Sequence, residues 1–227
     1  MRIGVIVAMD KEMSLLLPML ERHEVKESLG FYFHEGMVGC HEVVAMVCGI
    51  GKVNAAISTI TLLNNYKLDL VINTGVAGGA DKSISVMDVV VADSIAYHDV
   101  WCGPGTEYGQ ASGMPTYFKP DETVIGLLDD LEDIKRGLIC SGDKFIDSVE
   151  SVEEIKKHYL EALAVDMESA AIAHVCAKMG VPMFCLRVIS DSPGASHNNS
   201  KQYEDFWATA PEQTFEIVKQ LLDRIKC

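Results

Sequence analysis

Long apolar runs and an excess of basic residues are both missing from this sequence. Its 33 Asp and Glu outnumber its 19 Lys and Arg, which gives a formal net charge of −14. A strongly negative chain repels phosphate backbones and anionic membrane surfaces. No apolar run approaches the roughly 20 residues that a membrane-spanning helix needs. We therefore expect neither a nucleic acid nor a membrane as a partner.

The sequence also lacks paired cysteines of the kind that bind metals. Its seven cysteines are scattered, and none belongs to a C-x-x-C pair or to a Cys/His cluster with metal-ligand spacing. Most lie in apolar stretches, where a free thiol behaves as a small hydrophobe. The short apolar start of the chain has no cleavage site for a signal peptide and indicates a first strand. These features predict a cytoplasmic protein without structural zinc.

No repeat, low-complexity tract or change of composition marks a linker, so we expect a single domain over residues 1–227. Continuous β-branched runs alternate with stretches whose apolar residues recur every three or four positions, which is typical of α/β proteins with a mostly parallel sheet. The predicted strands are Arg2–Ala8, Val43–Cys48, Leu68–Thr74, Met87–Ala92, Gly137–Ser141 and Met183–Ser190. The predicted helices are Lys52–Tyr66, Ser169–Met179 and Glu204–Lys226, the last interrupted near Pro211. An antiparallel hairpin is predicted over Phe31–Val38 and His41–Val47.

Two glycine-rich segments follow predicted strands. Gly49–Asn54 invites a dinucleotide-binding interpretation, but Asn54 replaces the third glycine of G-x-G-x-x-G, so a plain strand-to-helix turn is favoured. Asn73–Gly79 has three glycines in five positions, which favours close backbone approach to a ligand. Ligands of open α/β sheets bind beyond the carboxyl ends of strands. Both segments are therefore candidates for the walls of a binding site.

Acidic residues stand at the same strand ends. Glu12 follows the first strand, Glu168 follows an apolar segment, and Asp191 follows the last strand. Carboxylates beside buried segments need partners or a chemical role. For Asp166, a role as a helix N-cap explains the sequence as well as a place in the functional site does. Arg187, inside an apolar strand, is a cation whose expected counter-ions are these acids.

Nine segments, in order and spread over nearly the whole chain, resemble those of the bacterial methylthioadenosine/S-adenosylhomocysteine nucleosidases. They are Ala8-Met9 with Glu12, Gly49–Ala55, Asn73–Gly79, Tyr97–Asp99, Glu107–Gln110, Ser141–Ile146, Val165–Glu168, Ala171–Cys176 and Arg187–Asp191. The resemblance implies a three-layer α/β/α nucleoside phosphorylase/hydrolase fold with a mixed, mostly parallel central sheet. It also implies a homodimer and the absence of any metal or organic cofactor. The implied reaction is hydrolysis of the bond between adenine and ribose in 5′-methylthioadenosine and S-adenosylhomocysteine, with 5′-deoxyadenosine as a further candidate substrate.

The resemblance also assigns roles by position. Asp191 is expected to protonate the purine at N7, and Glu12 to orient and deprotonate the attacking water, with Arg187 nearby. Glu168 is expected to accept hydrogen bonds from the ribose hydroxyls, and Phe145 to stack on adenine. The backbone of Ile146 is expected to read the hydrogen-bonding edge of adenine. The other residues expected to line the substrate site are Met167, Ile50, Ser190, Val76, Gly78 and Phe206.

Elementary chemistry calls for the same groups. Cleavage of a ribosidic bond passes through an oxocarbenium-like state, which needs an acid at the leaving base, a positioned water and negative charge near the sugar. Three separate carboxylates supply these functions. A phosphorylase of the same fold would need fixed positive charge for phosphate. The loops at 9–12 and 73–79 contain no arginine, which favours hydrolysis. A nucleoside-binding protein without catalysis would not need an acid and a base together.

Three departures from the family concern the sugar end of the site. Val76 stands where Ser is common, Asp166 where Glu is usual, and the segment 100–106 is one residue shorter than expected. In relatives this last segment helps to bind the 5′ substituent, partly across the dimer interface. The candidates to rebuild an apolar pocket there are Trp101, Tyr203 and Phe206.

Overall fold

The strands of the protein join in one sheet. The structure is a computed structural model, and the residues that it describes are 1–131, 133–193, 199–209 and 216–226. The strands are β1 (Arg2–Val7), β2 (Glu21–Ser28), β3 (Phe31–Val38), β4 (His41–Val47), β5 (Leu70–Asn73), β6 (Val76–Gly79), β7 (Val89–Tyr97), β8 (Ile134–Ser141), β9 (Ala162–Asp166) and β10 (Met183–Asp191).

The helices connect these strands. They are α1 (Asp10–Leu16), α2 (Lys52–Asn65), α3 (Glu122–Gly126), α4 (Val149–Lys156), α5 (Ser169–Met179), α6 (Asn199–Thr209) and α7 (Glu216–Arg224). A short 3₁₀ turn, Leu17–Met19, follows α1. Within the described ranges, no helix has both the length and the apolar character that a membrane span requires.

The sheet is mixed and mostly parallel, as predicted. Its strand order is β2-β3-β4-β1-β5-β10-β6-β9-β8-β7, and β10 also pairs with β7. Parallel pairs join β1 to β4 and β5, β10 to β5 and β6, and β8 to β7 and β9. The antiparallel pairs are β2 with β3, β3 with β4, β6 with β9, and β10 with β7. The predicted hairpin corresponds to β3 and β4. Strand β10 therefore lies at the centre, in contact with both halves of the sheet.

Helices cover both faces of the sheet, which confirms the three-layer architecture. Alternate residues of a strand point to opposite faces. In β1, Ile6 belongs to a core that includes residues of α2 and α5, whereas Ile3, Val5 and Val7 belong to a second core with residues of α1 and α7. The strand is buried on both sides, and for this reason it is continuously apolar rather than alternating.

Several elements differ from the sequence prediction. β2 and β9 were not predicted, and most of the glycine-rich 73–79 segment pairs as strand β6. β6 escapes a pattern-based prediction because glycines are normally depleted in strands. The C-terminal helical region begins earlier than predicted, at Asn199, and α7 starts at Glu216. Pro211, where an interruption was predicted, lies outside the described residues.

The segment between β7 and α3 has little regular structure but is held by specific contacts. Phe118 pairs with Ile95 as an isolated antiparallel bridge. The Gly109 N–H donates to the Val100 carbonyl at 2.7 Å. Beneath this turn, the Tyr159 hydroxyl donates to the Tyr97 carbonyl at 2.9 Å. The backbone of Gly109 has a φ of +83°, and a β-carbon at this position would collide with the Tyr159 hydroxyl.

We predict that Gly109→Ala destabilises the protein far more than Gly113→Ala. Both glycines have positive φ, at +83° and +74°. Alanine is strained in this backbone conformation, so both substitutions should lower the free energy of unfolding by a similar amount, about 1–2 kcal/mol. A β-carbon at Gly113 would meet open space, whereas at Gly109 it adds an overpacking cost of about 1–3 kcal/mol. Urea unfolding of the two variants measures the difference, and equal free energies of unfolding would contradict this account of the turn.

Candidate active site

A cavity opens at the carboxyl ends of the central strands. It encloses about 670 Å³ of empty space, part of which is open to solvent. Its walls come from the ends of β1, β6, β9 and β10, from the turn before α2 and from the segment after β8. Of the residues predicted for the substrate site, the structure brings eleven to this cavity: Glu12, Ile50, Val76, Gly78, Phe145, Ile146, Met167, Glu168, Arg187, Ser190 and Asp191.

Asp191 presents a buried carboxyl group at the end of β10. Its Oδ1 accepts a hydrogen bond from the Ser190 hydroxyl at 2.7 Å. Its Oδ2 is buried and has no hydrogen-bond partner among the described residues. Burial raises the pKa of Asp191 to about 6, against the smaller opposing effect of the Ser190 hydroxyl. The group can therefore hold a proton near neutrality and has one oxygen available to donate it.

Glu12 is held by backbone donors on both of its carboxylate oxygens. Its Oε2 accepts from the N–H groups of Ala8 and Met9 at 2.8 and 3.0 Å, and its Oε1 accepts from the Val76 N–H at 2.9 Å. Burial nevertheless raises the pKa of Glu12 above its usual value, and these donors and the charge of Arg187 only partly offset it. Glycine is required at position 75, where φ is +147° and a β-carbon would overlap the Glu12 carboxylate.

Glu168 lies where α5 begins and reaches across to the turn before α2. Its Oε1 accepts a hydrogen bond from the Gly51 N–H at 2.8 Å. Burial, followed by the negative charge of Asp166, raises the pKa of Glu168 to about 7, whereas the Gly51 N–H lowers it. Helix α2 begins at Lys52, so the predicted strand-to-helix turn is present and contributes Ile50 to the cavity wall.

Arg187 pairs with Asp166, and the side chain of each is only 2% exposed. The Arg187 Nε donates to the Asp166 carboxylate at 2.8 Å, and Nη2 donates to Asn73 at 2.6 Å and to the Ser169 hydroxyl at 2.8 Å. The hydroxyls of Ser141 and Ser169 also donate to Asp166. Burial alone would raise the pKa of Asp166, but the charge of Arg187 and these donors outweigh it and lower the pKa.

Asp166 is the counter-ion of Arg187, and it is not the N-cap of α5, which is Glu168. It also accepts the N–H groups of Glu168 and Ser169 at 3.3 and 3.2 Å, where the chain enters the helix. With these partners its oxygens are saturated. Among the described carboxylates that line the cavity, Glu12, Glu168 and Asp191 thus remain without an ion pair.

Aromatic side chains form the outer part of the cavity. Phe145 is 48% exposed, and its ring meets Tyr203 edge to face with centroids 6.1 Å apart. Tyr203 lines the cavity, but Phe206 does not: its side chain is buried in a small cluster with Val188. Positions three apart on α6 lie on neighbouring parts of its surface, and here the first faces the cavity and the second the core. The structure therefore brings Tyr203 to the cavity and not Phe206, which the sequence predicts for the substrate site.

Some lining residues were not predicted individually, although they lie in segments that were. Thr74 and Ala77 belong to the glycine-rich segment Asn73–Gly79, and Lys144 and Val165 belong to segments of the family resemblance. Only the three-dimensional course of the chain shows that these particular side chains line the cavity. In the described ranges, no group of three or more His, Cys, Asp or Glu side chains is placed to hold a metal ion.

Comparison with known proteins gives a consistent result. Residues 2–223 match the family model of the phosphorylase superfamily. The chain is 39% identical to a 5′-methylthioadenosine/S-adenosylhomocysteine nucleosidase of Exiguobacterium over 100% of this chain and 99% of the relative. It is 38% identical to one of Bacillus cereus over the full length of both.

Solved structures agree with these sequence relatives. The nucleosidase of Streptococcus pneumoniae in complex with the transition-state inhibitor MT-ImmA superposes with a TM-score of 0.93 at 35% identity, over 100% of both chains. A futalosine hydrolase mutant of Helicobacter pylori superposes with a TM-score of 0.90 at 27% identity, over 99% of both chains. The chain belongs to the phosphorylase superfamily and, within it, to the family of 5′-methylthioadenosine/S-adenosylhomocysteine nucleosidases.

Proposed function

We propose that this protein hydrolyses the N-ribosidic bond of adenine nucleosides, 5′-methylthioadenosine and S-adenosylhomocysteine above all, and releases adenine. The observation that carries the proposal is the buried Asp191 carboxyl, one oxygen of which has no partner in the described part of the chain, in a cavity that it shares with Glu12 and Glu168. Adenine is a poor leaving group as an anion, so a proton donor at the base is the first requirement of the reaction. Family membership supports the same reaction.

The three carboxylates divide the chemistry between them in this proposal. Asp191 donates its proton to N7 of the purine, and Glu12 orients the water and accepts its proton. Glu168 accepts hydrogen bonds from the ribose hydroxyls and places negative charge near the oxocarbenium-like sugar. Phe145 stacks on adenine, and the backbone of Ile146 binds its edge. Arg187, bound to Asp166, fixes the floor of the site.

Water is preferred to phosphate as the nucleophile on electrostatic grounds. The cations among the described lining residues are Lys144 and Arg187, and Arg187 is already neutralised by Asp166. The same walls carry three further carboxylates, which would repel a phosphate dianion. Val76 supplies no hydroxyl, but its N–H holds Glu12 and thereby helps to position the general base.

The 5′ substituent is the part of the substrate that the fold specifies least. Nucleosidases for methylthioadenosine and a futalosine hydrolase superpose almost equally well on this chain. We propose a thioether substituent because the relatives of highest identity named above are methylthioadenosine/S-adenosylhomocysteine nucleosidases. Rates of adenine release from methylthioadenosine, S-adenosylhomocysteine and 5′-deoxyadenosine, compared under one set of conditions, test this choice.

We also propose that the protein is a homodimer. Helices α2 and α5 leave an apolar groove that continues onto the segment after β7. Val53, Ile57 and Met179 are exposed on this surface, and Trp101 is exposed on the adjoining segment. Contiguous exposed apolar surface of this kind usually marks an interface. A second copy of the chain packed on the groove would cover it and bring the segment near Trp101 towards the partner's cavity.

We further propose that residues 1–227 form a single domain and that the protein is cytoplasmic. One sheet runs from β1 to β10 through the described residues, which supports a single domain over 1–227. Five cysteines, at 48, 102, 140, 176 and 185, are free thiols, as a reducing compartment favours, whereas Cys40 is disulfide-bonded. Oxidation of Cys40 was not predicted from the sequence.

Asp191→Asn should abolish most adenine release while the protein still folds and binds nucleoside. Asn cannot donate a titratable proton to N7, and loss of one general acid costs about 10²–10⁴-fold in rate. The measurement is the spectrophotometric release of adenine from methylthioadenosine, with nucleoside binding followed by calorimetry. Asp93→Asn, an exposed carboxylate outside the cavity, is the control. Rates within a few-fold of the parent would remove Asp191 from the mechanism.

The pH profile of kcat/KM should have a single maximum between about pH 6 and about pH 7. Asp191 must hold its proton, and with a pKa of about 6 it loses that proton as the pH rises. Glu168 must be ionised, and with a pKa of about 7 it becomes protonated as the pH falls. Since kcat/KM reports the groups of the free enzyme, activity should fall on both sides. A profile that is flat from about pH 5 to about pH 9 would contradict these two roles.

Ile57→Glu should convert the dimer to a monomer, because it places an unpaired charge in the centre of the proposed interface. Leu160→Glu is the control, since Leu160 is also exposed but lies between α4 and β9, away from the groove. Light scattering of both variants and the parent gives the oligomeric state. A parent protein that is monomeric at micromolar concentration and fully active would refute the dimer.

A further inference from the structure

Three loops meet beside the cavity in a cluster to which the proposed reaction assigns no role. Lys52 begins α2, Asp99 follows β7, and Asp143 follows β8. We call these three residues the Lys52 cluster. Each belongs to one of the segments that carry the family resemblance, yet none of them lines the cavity.

The cluster is a closed set of charge-assisted hydrogen bonds. The Lys52 ammonium donates to both oxygens of Asp99 at 2.7 Å. The Asp143 N–H donates to Asp99 Oδ2 at 2.8 Å, and Asp143 Oδ1 accepts the Lys52 N–H at 2.7 Å. Every pair of loops is therefore joined directly. Two of these bonds use backbone N–H groups, so the cluster fixes the backbone of the loops as well as the side chains.

Each end of the cluster is adjacent to a residue of the proposed site. Gly51, next to Lys52, donates its N–H to Glu168 Oε1 at 2.8 Å. On the other side, Phe145 and Ile146 follow Asp143 by two and three residues. A displacement of the Lys52 backbone would carry Gly51 away from Glu168, and a displacement of Asp143 would carry the adenine-binding segment with it.

The exposure of the cluster indicates positioning rather than a large contribution to folding. The side chains of Lys52 and Asp99 are 21% and 27% exposed, and ion pairs with this access to solvent stabilise a fold only slightly. Comparable pairs occur elsewhere in the protein: Lys156 binds Asp81 with side chains 21% and 33% exposed. What distinguishes the Lys52 cluster is its link to Glu168 and to Phe145.

We infer that Lys52, Asp99 and Asp143 are positioning residues, which hold the Gly51 N–H on Glu168 and the Phe145–Ile146 segment over the base. The inference rests on the proposed function, because it assigns the cluster to the binding of ribose and adenine. The cluster acts before the chemical step, and its loss should weaken substrate binding more than catalysis. It should also change the acidity of Glu168, since the Gly51 N–H stabilises the ionised carboxylate.

Asp143→Ala and Lys52→Met test the inference, with Lys156→Met as the control of matched exposure. For Asp143→Ala we expect KM for methylthioadenosine to rise about tenfold, the lower end for a charge-assisted hydrogen bond that is partly exposed, while kcat changes less than about threefold. An NMR titration of the Glu168 carboxyl carbon, assigned with Glu168→Gln, should give a midpoint above the value of about 7 for the parent. Asp143→Asn, which keeps an oxygen to accept the Lys52 N–H, should recover much of the lost affinity.

The outcomes separate the inference from the function on which it rests. If the parent releases no adenine, the proposed function fails, and the NMR titration still decides whether the cluster positions Gly51 on Glu168. An active parent with unchanged KM and an unchanged Glu168 midpoint in both cluster variants would overturn the inference. So would an equal rise of KM in Lys156→Met. Because Lys52 and Asp143 also border the α2–α5 groove, light scattering accompanies each assay, and a rise of KM that occurs only in monomeric variants would assign the residues to the interface instead.

Discussion

The ion pair between Arg187 and Asp166 is the interaction on which the rest of the site depends. A buried guanidinium is costly unless a carboxylate and further acceptors satisfy it, and here Asp166 and Asn73 do so. The pair joins the end of β9 to the middle of β10 and places α5 through the Ser169 hydroxyl. Asp166 pairs with Arg187 in this network. The charge of Arg187 lowers the pKa of Glu12 and of Glu168, but less than burial raises it. Arg187 is thus a structural cation in the wall of the cavity.

This pairing explains why four acids in one cavity differ in their proton affinity. Asp166, with the arginine and two hydroxyl donors, has a lowered pKa. Glu12 and Glu168 have mainly backbone donors, and for both the effect of burial prevails, as it does for Asp191, whose partner is a single hydroxyl. Environment rather than residue type therefore separates Asp166, which stays ionised, from the three carboxylates whose pKa is raised.

The sequence predicted the layers of the fold and the place of the site, because both follow from patterns of adjacent residues. A buried parallel strand such as β1 is continuously apolar. A carboxylate in the segment that follows it, such as Glu12, is therefore expected near the carboxyl end of the strand. What the sequence could not predict depends on contacts between distant segments. It named the acids together as counter-ions of Arg187 and did not single out Asp166, since only contacts between distant segments decide which acid is neutralised. It also predicted Phe206 for the substrate site, whereas the side of α6 that faces the cavity carries Tyr203.

In strand β10, the direction of a single side chain is also something that the sequence pattern does not predict. Adjacent residues of a regular strand point to opposite faces, so Ser190 and Asp191 should not both reach one cavity. They do so because the pairing with β6 shifts register between Ile189 and Asp191, as in a β-bulge, which turns the end of the strand. The turn brings the Ser190 hydroxyl to one oxygen of Asp191 and leaves the other without a partner in the described part of the chain. The acid that the reaction needs is therefore aimed by an irregularity of pairing, and an irregularity of this kind leaves no mark on the apolar pattern of the strand that contains it.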